Sequence, residues 1–555
     1  MSNKQKIGKS TPEVFLIFLV ALTIMVTPWT SYDPINVPKF FLLSTGASGF
    51  LLAAYNRGLL IFTYRTNRVL TLAIALFFIH AVIVLLISPT PLYLQLFGAN
   101  GRNTGFLLYL FLVISLVLTY LFRNTKFYRQ LVNSLIIAGV LNAIFGVLQY
   151  LQLDPFDWTN SYNPVFGFFG NPNFQSAFMG IVAASIWALF FGEENNVRKK
   201  ILLFFFAGLN FFVILSTDSL QGLIVYAAGL LIVVFIFTLK TPRFKKYAKY
   251  IGLGILFFST VSVLDILQKL PWGSSLYKAS VSERGDLWRA AWRMAVENPL
   301  TGIGFDGFGY FYREYRDLLA ITERGTSIGS NSAHNVFLDI LTNGGFPLLI
   351  IYLILLILVV KSAFISIKNT HHYDPTLTAL ITSWICYHLQ AIISINQIGI
   401  AIWGWVLGGA ILGYEQLSRN KQVPYVLTRG GKRDRTILKA ASGVMVGALI
   451  STPSFLADIK FRTAIDSRKI ELVLDSAYRW PQSPERMFLV AVLFQQNQLL
   501  DLSSQVARNA TVRFPRSYEN WELLISLSNV SEIEKKRALS QMQALDPLNP
   551  LFKNS

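Results

Sequence analysis

Thirteen stretches of this chain are apolar for long enough to cross a bilayer, which takes about 20 helical residues. They cover approximately 13–30, 38–56, 69–88, 105–122, 131–151, 174–191, 201–216, 219–238, 250–266, 334–360, 377–394, 398–416 and 436–456. Two polar regions interrupt or follow them: the 67-residue segment 267–333 and the tail 457–555. The pattern predicts an all-α polytopic membrane protein of about 12–13 spans at 1–456, with a helical loop at 267–333 and a separate helical domain at 457–555.

Composition excludes the main alternative. Of 555 residues, 53% are hydrophobic and 14% charged, whereas soluble domains carry about a quarter charged residues; the mean hydropathy is +0.47. A soluble enzyme is therefore not expected. The net charge of +19 suggests a polyanionic partner until the basic residues are placed. Alternate inter-span segments, beginning with the N-terminus, hold 25 Lys and Arg, while the short loops on the other side hold two, Lys39 and Arg102. That asymmetry is the signature of insertion, not of nucleic-acid binding. It predicts a cytoplasmic N-terminus, with 267–333 and the tail outside. Residues 1–30 lack a small-residue cleavage site and read as a retained first helix. The lone cysteine, Cys386, allows no internal disulfide and no thiolate metal cluster.

In the tail, Trp480-Pro481-Gln482-Ser483, Phe514-Pro515-Arg516-Ser517 and Asp546-Pro547-Leu548-Asn549 recur at 34 and then 32 residues, the tetratricopeptide period. Each proline follows an amphipathic stretch, as where one helix stops and the next pair begins. A small domain of helical hairpins that binds a protein or positions an acceptor is expected, against an unrelated helical tail.

Four polar elements fall on the outer side of this topology. Ser282 to Arg293 begins with a helix-cap candidate, Ser282, and places Trp288, Ala291 and Trp292 at helical spacing opposite arginines. It is either an interfacial helix or one whose guanidinium groups, such as Arg284 and Arg289, clamp phosphate oxygens through their planar forks. Asn298 to Gly307 contains a formal G-x-G-x-x-G. No strand precedes it, so a tight turn between helices is favoured over a nucleotide site. Ser332-Ala333-His334-Asn335 enters span 10, and a histidine at a helix mouth beside water can hold or shuttle a proton near neutrality. No H-x-x-H, carboxylate cluster or cysteine pair accompanies His334, so no metal is expected. His80 and His388 sit isolated in apolar runs, as ordinary structural histidines do. Gly98 to Gly105 supplies Arg102, an arginine that opposes the positive-inside bias. Gly170-Asn171-Pro172-Asn173 sets two amides at the mouth of span 6, suited either to sugar hydroxyls or to a turn.

Arg284 with Trp288, then Asn298-Pro299-Leu300-x-Gly302-x-Gly304, Ala333-His334-Asn335-x-Phe337-Leu338 and Gly344-Gly345, resemble the signature region of the O-antigen ligase and O-antigen polymerase superfamily, which includes bacterial protein O-oligosaccharyltransferases. Gly98 to Gly105 and Gly170-Asn171-x-Asn173 are similar to its other recurring elements. The resemblance covers spans 3–12. It implies a GT-C-type glycosyltransferase of the bacterial plasma membrane with no cofactor. The implied donor is a glycan on undecaprenyl diphosphate, and the implied acceptor a glycan, lipid or protein. It further implies His334 and Arg284 as catalytic groups, and Arg102, Arg289, Asn335, Asn171 and Asn173 as substrate contacts. One feature departs: the turn between spans 7 and 8 reads Ser216-Thr217-Asp218-Ser219-Leu220-Gln221-Gly222, where family members usually carry an arginine. A diphosphate contact is then either missing or supplied from elsewhere, by Arg102 or Arg289. The competing reading is a transporter or flippase for an anionic lipid or solute, with the arginines as its binding site and His334 as a proton relay.

Overall fold

A computed structural model describes residues 11–55, 63, 65–156, 158, 164–193, 196–266, 268–270, 279–419 and 433–552. The basic residues of 1–10, the start of the polar segment at 271–278 and the loop 420–432 lie outside the described residues. Among the described residues the chain is helical without strands. A helix lies over each of the thirteen apolar stretches, and ten of these helices are long and apolar enough to cross a membrane. Thr11–Ile24 and Phe106–Leu121 are apolar but shorter. Pro375–Ala391, the helix of the eleventh stretch, has 17 residues.

Several spans turn most of their surface outward. Phe204, Phe205, Phe257 and Phe258 are exposed on Val197–Ser216 and Lys245–Ile266; in a multi-pass membrane protein this is the surface that lipid covers. Spans that face each other use small residues. Gly443 and Gly447, four apart, let Arg433–Ser467 lie directly on the carbonyls of Ser48 and Ser44 in Asn36–Ala54, where a methyl group would come within 2.3 and 2.2 Å of those oxygens. The Ser44 hydroxyl bonds Ser451 Oγ at 2.6 Å across the same contact.

Hydrogen bonds separate the two ends of the bundle. At one end Asn36 joins Gly101 and Gln397, Lys39 joins Phe168, Ser219 joins Asn173, Thr90 joins Ile303, and Asp33 joins Asp458. Every partner lies in or beside a loop of the basic-poor set, in the polar segment, or at the base of the tail. At the other end Lys240 bonds Thr370, Arg123 bonds Thr66 and Lys439 bonds Tyr55, all beside the basic-rich loops.

Two boundaries differ from expectation. Arg433–Ser467 is one helix running past Leu456 into the tail, because polar residues after the apolar run retain helix propensity. Ala279–Glu297 already includes Ser282, so Ser282 does not cap it. In the tail, Ile470–Tyr478, Leu500–Arg513 and Glu532–Leu545 stop just before the recurring prolines, and Pro484–Gln496 and Tyr518–Ser526 follow the first two of them. Ser483 caps Pro484–Gln496 from its side chain, and Phe461, Met487, Phe494, Phe514, Trp521 and Met542 share a core distinct from that of the spans.

Candidate functional site

The helix Val336–Asn369 is broken at its ninth and tenth residues, Gly344 (φ −147°) and Gly345 (φ +68°). Such a break exposes backbone groups, which need partners within a membrane protein. The Asn298-Pro299-Leu300-x-Gly302 turn supplies them: Ile303 N donates to Thr342 O at 2.8 Å and Phe346 N to Pro299 O at 2.9 Å. His80 Nε2 meets Gly344 O at 2.7 Å, a structural use of that histidine. Gly302 is required here because a methyl group on it would stand 2.1 Å from Thr342 O. The formal G-x-G-x-x-G is thus a turn between Ala279–Glu297 and Phe308–Tyr315.

The turn carries Asp306, and Asp306 anchors the loop of Arg102. Its carboxylate accepts from Ala99 N at 2.5 Å and Thr104 Oγ1 at 2.8 Å, while its own N–H donates to Asn343 Oδ1 at 2.9 Å. Burial raises the Asp306 pKa against the opposing pull of these bonds and of nearby Arg102.

His334 stands immediately before this helix with φ +52°, a left-handed conformation that costs of order 1–3 kcal/mol outside glycine. Its neighbours hold it there. Ser332 Oγ accepts from His334 N at 2.9 Å. Asp339, one turn into the helix, accepts from Ala333 N at 2.8 Å and from Ser332 Oγ at 3.0 Å. Asn335 Oδ1 accepts from Phe337 N and Leu338 N, capping the helix. Among the described residues no hydrogen bond reaches either ring nitrogen of His334. Burial, then the charges of nearby Arg102 and Arg284, push its pKa down to about 4, so the imidazole is neutral at pH 7. Arg284 is half-buried, and its pKa falls chiefly through burial.

The structure therefore brings Arg102, Arg284 and His334 together, with Asp306 and Asp339 shaping their backbone. The other expected contacts are engaged elsewhere. Arg289 pairs with Asp286 at 2.5 Å and Asp317 at 2.6 Å. Asn171 caps Pro172–Phe190, and Asn173 Oδ1 accepts from Ser219 Oγ at 2.8 Å, in the turn that lacks the family arginine. Asn335 directs its oxygen at its own helix. Asp306 and Asp339 were not anticipated; the signals for them were an acid inside the glycine turn and an acid four residues after Asn335. Among the described residues, no group of three or more His, Cys, Asp or Glu is placed to hold a metal ion.

Fold and site together define a multi-pass, all-helical membrane protein whose ionisable groups converge beside a broken span. Residues 203–353, which include Arg284, the glycine turn, His334 and the helix break, match the family model described as O-antigen ligase. That match supports the O-antigen ligase superfamily, a family of membrane glycan ligases and polymerases, for this part of the chain and suggests a glycosyltransferase-like enzyme. No curated protein matches it.

Proposed function

We propose that the protein transfers or polymerises glycans from an undecaprenyl-diphosphate-linked donor on the outer face of the bacterial plasma membrane. The observation that carries this reading is that Arg102 and Arg284 lie near enough to His334 for their charges to lower its pKa. Two guanidinium groups around a neutral imidazole suit a substrate that brings negative charge and an exchangeable proton. His334 takes the proton of the acceptor hydroxyl as its oxygen attacks the anomeric carbon. The bond from that carbon to the diphosphate oxygen breaks, its electron pair leaves on the diphosphate, and Arg102 and Arg284 stabilise the charge. Direct displacement inverts the anomeric configuration. A free-site pKa near 4 makes His334 a weak base; the bound diphosphate offsets both arginine charges and raises its proton affinity when it is needed.

Residues 1–456 form the membrane domain in this reading, and 457–555 an extracytoplasmic tetratricopeptide-like domain able to receive a protein partner. The acceptor class is read from a deletion strain by mass analysis of surface glycans. Accumulated lipid-linked single repeats identify a polymerase, accumulated full polymer on its lipid identifies a ligase, and an unchanged envelope contradicts the reading. Orientation is read by labelling introduced cysteines in a Cys386→Ser background: Thr322→Cys and Gln496→Cys label from outside intact cells and His371→Cys does not. The reverse pattern overturns the outer-face assignment.

A further inference from the structure

The tail does not stand apart from the site. Between them lies Phe308–Tyr315, whose Arg313 and the following Arg316 each hold two sets of partners. On one side, Arg316 donates to Ile328 O and Thr326 O, both at 2.9 Å, and Arg313 to Thr326 O at 2.9 Å and Ser327 O at 3.0 Å. On the other side both guanidinium groups face the tail. Arg316 forms a fork to Asp546, with contacts of 3.1 and 2.5 Å, and Arg313 reaches Glu519 at 3.3 Å and lies 4.0 Å over the Tyr518 ring. The Arg316 and Asp546 side chains are 2% and 0% exposed. Asn549 holds the second Asp546 oxygen at 3.0 Å.

The segment gripped in this way, 326–328, runs directly into the backbone that presents His334. Gly309 packs against Ser330 and Asn331, Ser330 Oγ donates to Ser332 O at 2.9 Å, and Ser332 accepts from His334 N. The same tail also touches the loop of Arg102, where Phe514 packs on Tyr93 and Trp480 on Phe97, with ring centroids 5.4 and 5.5 Å apart.

We propose that the C-terminal helical unit is a positioning element of the site: Asp546, through Arg316, fixes residues 326–328 and so holds His334 in its left-handed conformation between Arg102 and Arg284. Asp546 is a positioning residue, since it touches no reacting group. This proposal rests on the transfer reading above, and it gives the tail a role in every turnover, not only in recruiting a partner.

A displaced His334 gains water and moves from its cations, so its depressed pKa returns towards the ordinary value. The charged groups facing it are Arg102 from the loop 98–105 and Arg284 from Ala279–Glu297. Asp306 lies beside Arg102, and Asp339 holds the backbone before His334. The acid limb of kcat/KM reports the free enzyme. The test uses the full chain in nanodiscs with an undecaprenyl-diphosphate glycan, comparing wild type, Asp546→Asn, Asp546→Ala, Arg508→Ala and His334→Ala. The Asp546 variants are expected to lower kcat about tenfold or more with donor KM within about twofold, to move the acid limb from near pH 4 upward, and to speed hydrogen exchange across 326–335. Arg508→Ala, which breaks the exposed Arg508 to Glu534 pair of the same tail, moves none of these. A loss of kcat with an unmoved limb and unchanged exchange means fewer folded molecules and overturns the proposal, as does wild-type behaviour of both Asp546 variants. If wild type transfers no glycan, or His334→Ala matches it, the transfer reading fails instead.

Discussion

Two pairs of arginines, Arg313 with Arg316 and Arg102 with Arg284, stand in different surroundings. In the seam between Phe308–Tyr315 and the tail, Arg313 and Arg316 are surrounded by acceptors: the Asp546 and Glu519 carboxylates and three backbone carbonyls. Around His334, the charges of Arg102 and Arg284 lower the pKa of a ring that is itself neutral, with Asp306 and Asp339 also near Arg102. A buried guanidinium whose donors are met by carboxylates is part of the fold, and removing one partner leaves the other charge stranded. Cations set near a neutral base favour an anion brought to them. Arg289 belongs with the first kind, since Asp286 and Asp317 already answer it. In the proposed reading Arg102, not Arg289, answers for the family arginine missing from Ser216 to Gly222.

Removing both pocket arginines breaks this contrast most severely. Arg102→Ala with Arg284→Ala should weaken equilibrium binding of a fluorescent undecaprenyl-diphosphate glycan by about 10²–10⁴-fold, at about 1.5–3 kcal/mol for each charged contact, with the melting temperature little changed. A large loss of stability with unchanged binding would move these residues to the structural class. Arg316→Ala should do the reverse, lowering unfolding stability by about 3–5 kcal/mol because buried Asp546 loses its fork and keeps only the longer contact to Arg313, at 3.8 Å; chemical denaturation followed at tail tryptophans measures it. A smaller effect sharpens the geometry: Arg284→Lys should recover part of the affinity lost in Arg284→Ala, since an ammonium keeps the charge without the bidentate fork. Smallest of all, Arg289→Ala should change stability by under about 1 kcal/mol and donor affinity by less than about twofold, because Arg324 still faces Asp286 at 3.2 Å. A tenfold loss of donor affinity there would return Arg289 to the site.

The thirteen apolar runs were legible because a bilayer imposes length and polarity on each span independently of its neighbours. The alternate placement of Lys and Arg likewise anticipated which loops meet at one end. His334 and Arg284 were visible as motif residues, and the helix-stopping prolines marked the hairpins of the tail. Long-range pairing was not visible. Asp306 reads as a turn residue until Ala99 and Thr104 are seen to bond it across some 200 positions, and nothing local distinguishes Arg289, held by Asp317, from Arg284. Asn171, Asn173 and Asn335 carry residue types equally suited to sugars and to structural bonds; only the direction of each side chain shows that Asn171 and Asn335 cap helices and that Asn173 takes a bond from Ser219. The seam escaped for the same reason, since Asp546 and Arg316 are 230 residues apart.

The central claim is that a neutral His334 activates the acceptor while arginines, not a metal, carry the diphosphate charge. Single-turnover transfer from an undecaprenyl-diphosphate glycan, by purified protein in nanodiscs with chelator present, tests it most directly. The account predicts full activity of the wild type under chelation, and a fall of about 10²–10⁴-fold in His334→Ala, the usual contribution of a positioned base, with donor binding retained. Near-normal turnover in His334→Ala, or wild-type activity that disappears with the chelator, would contradict it.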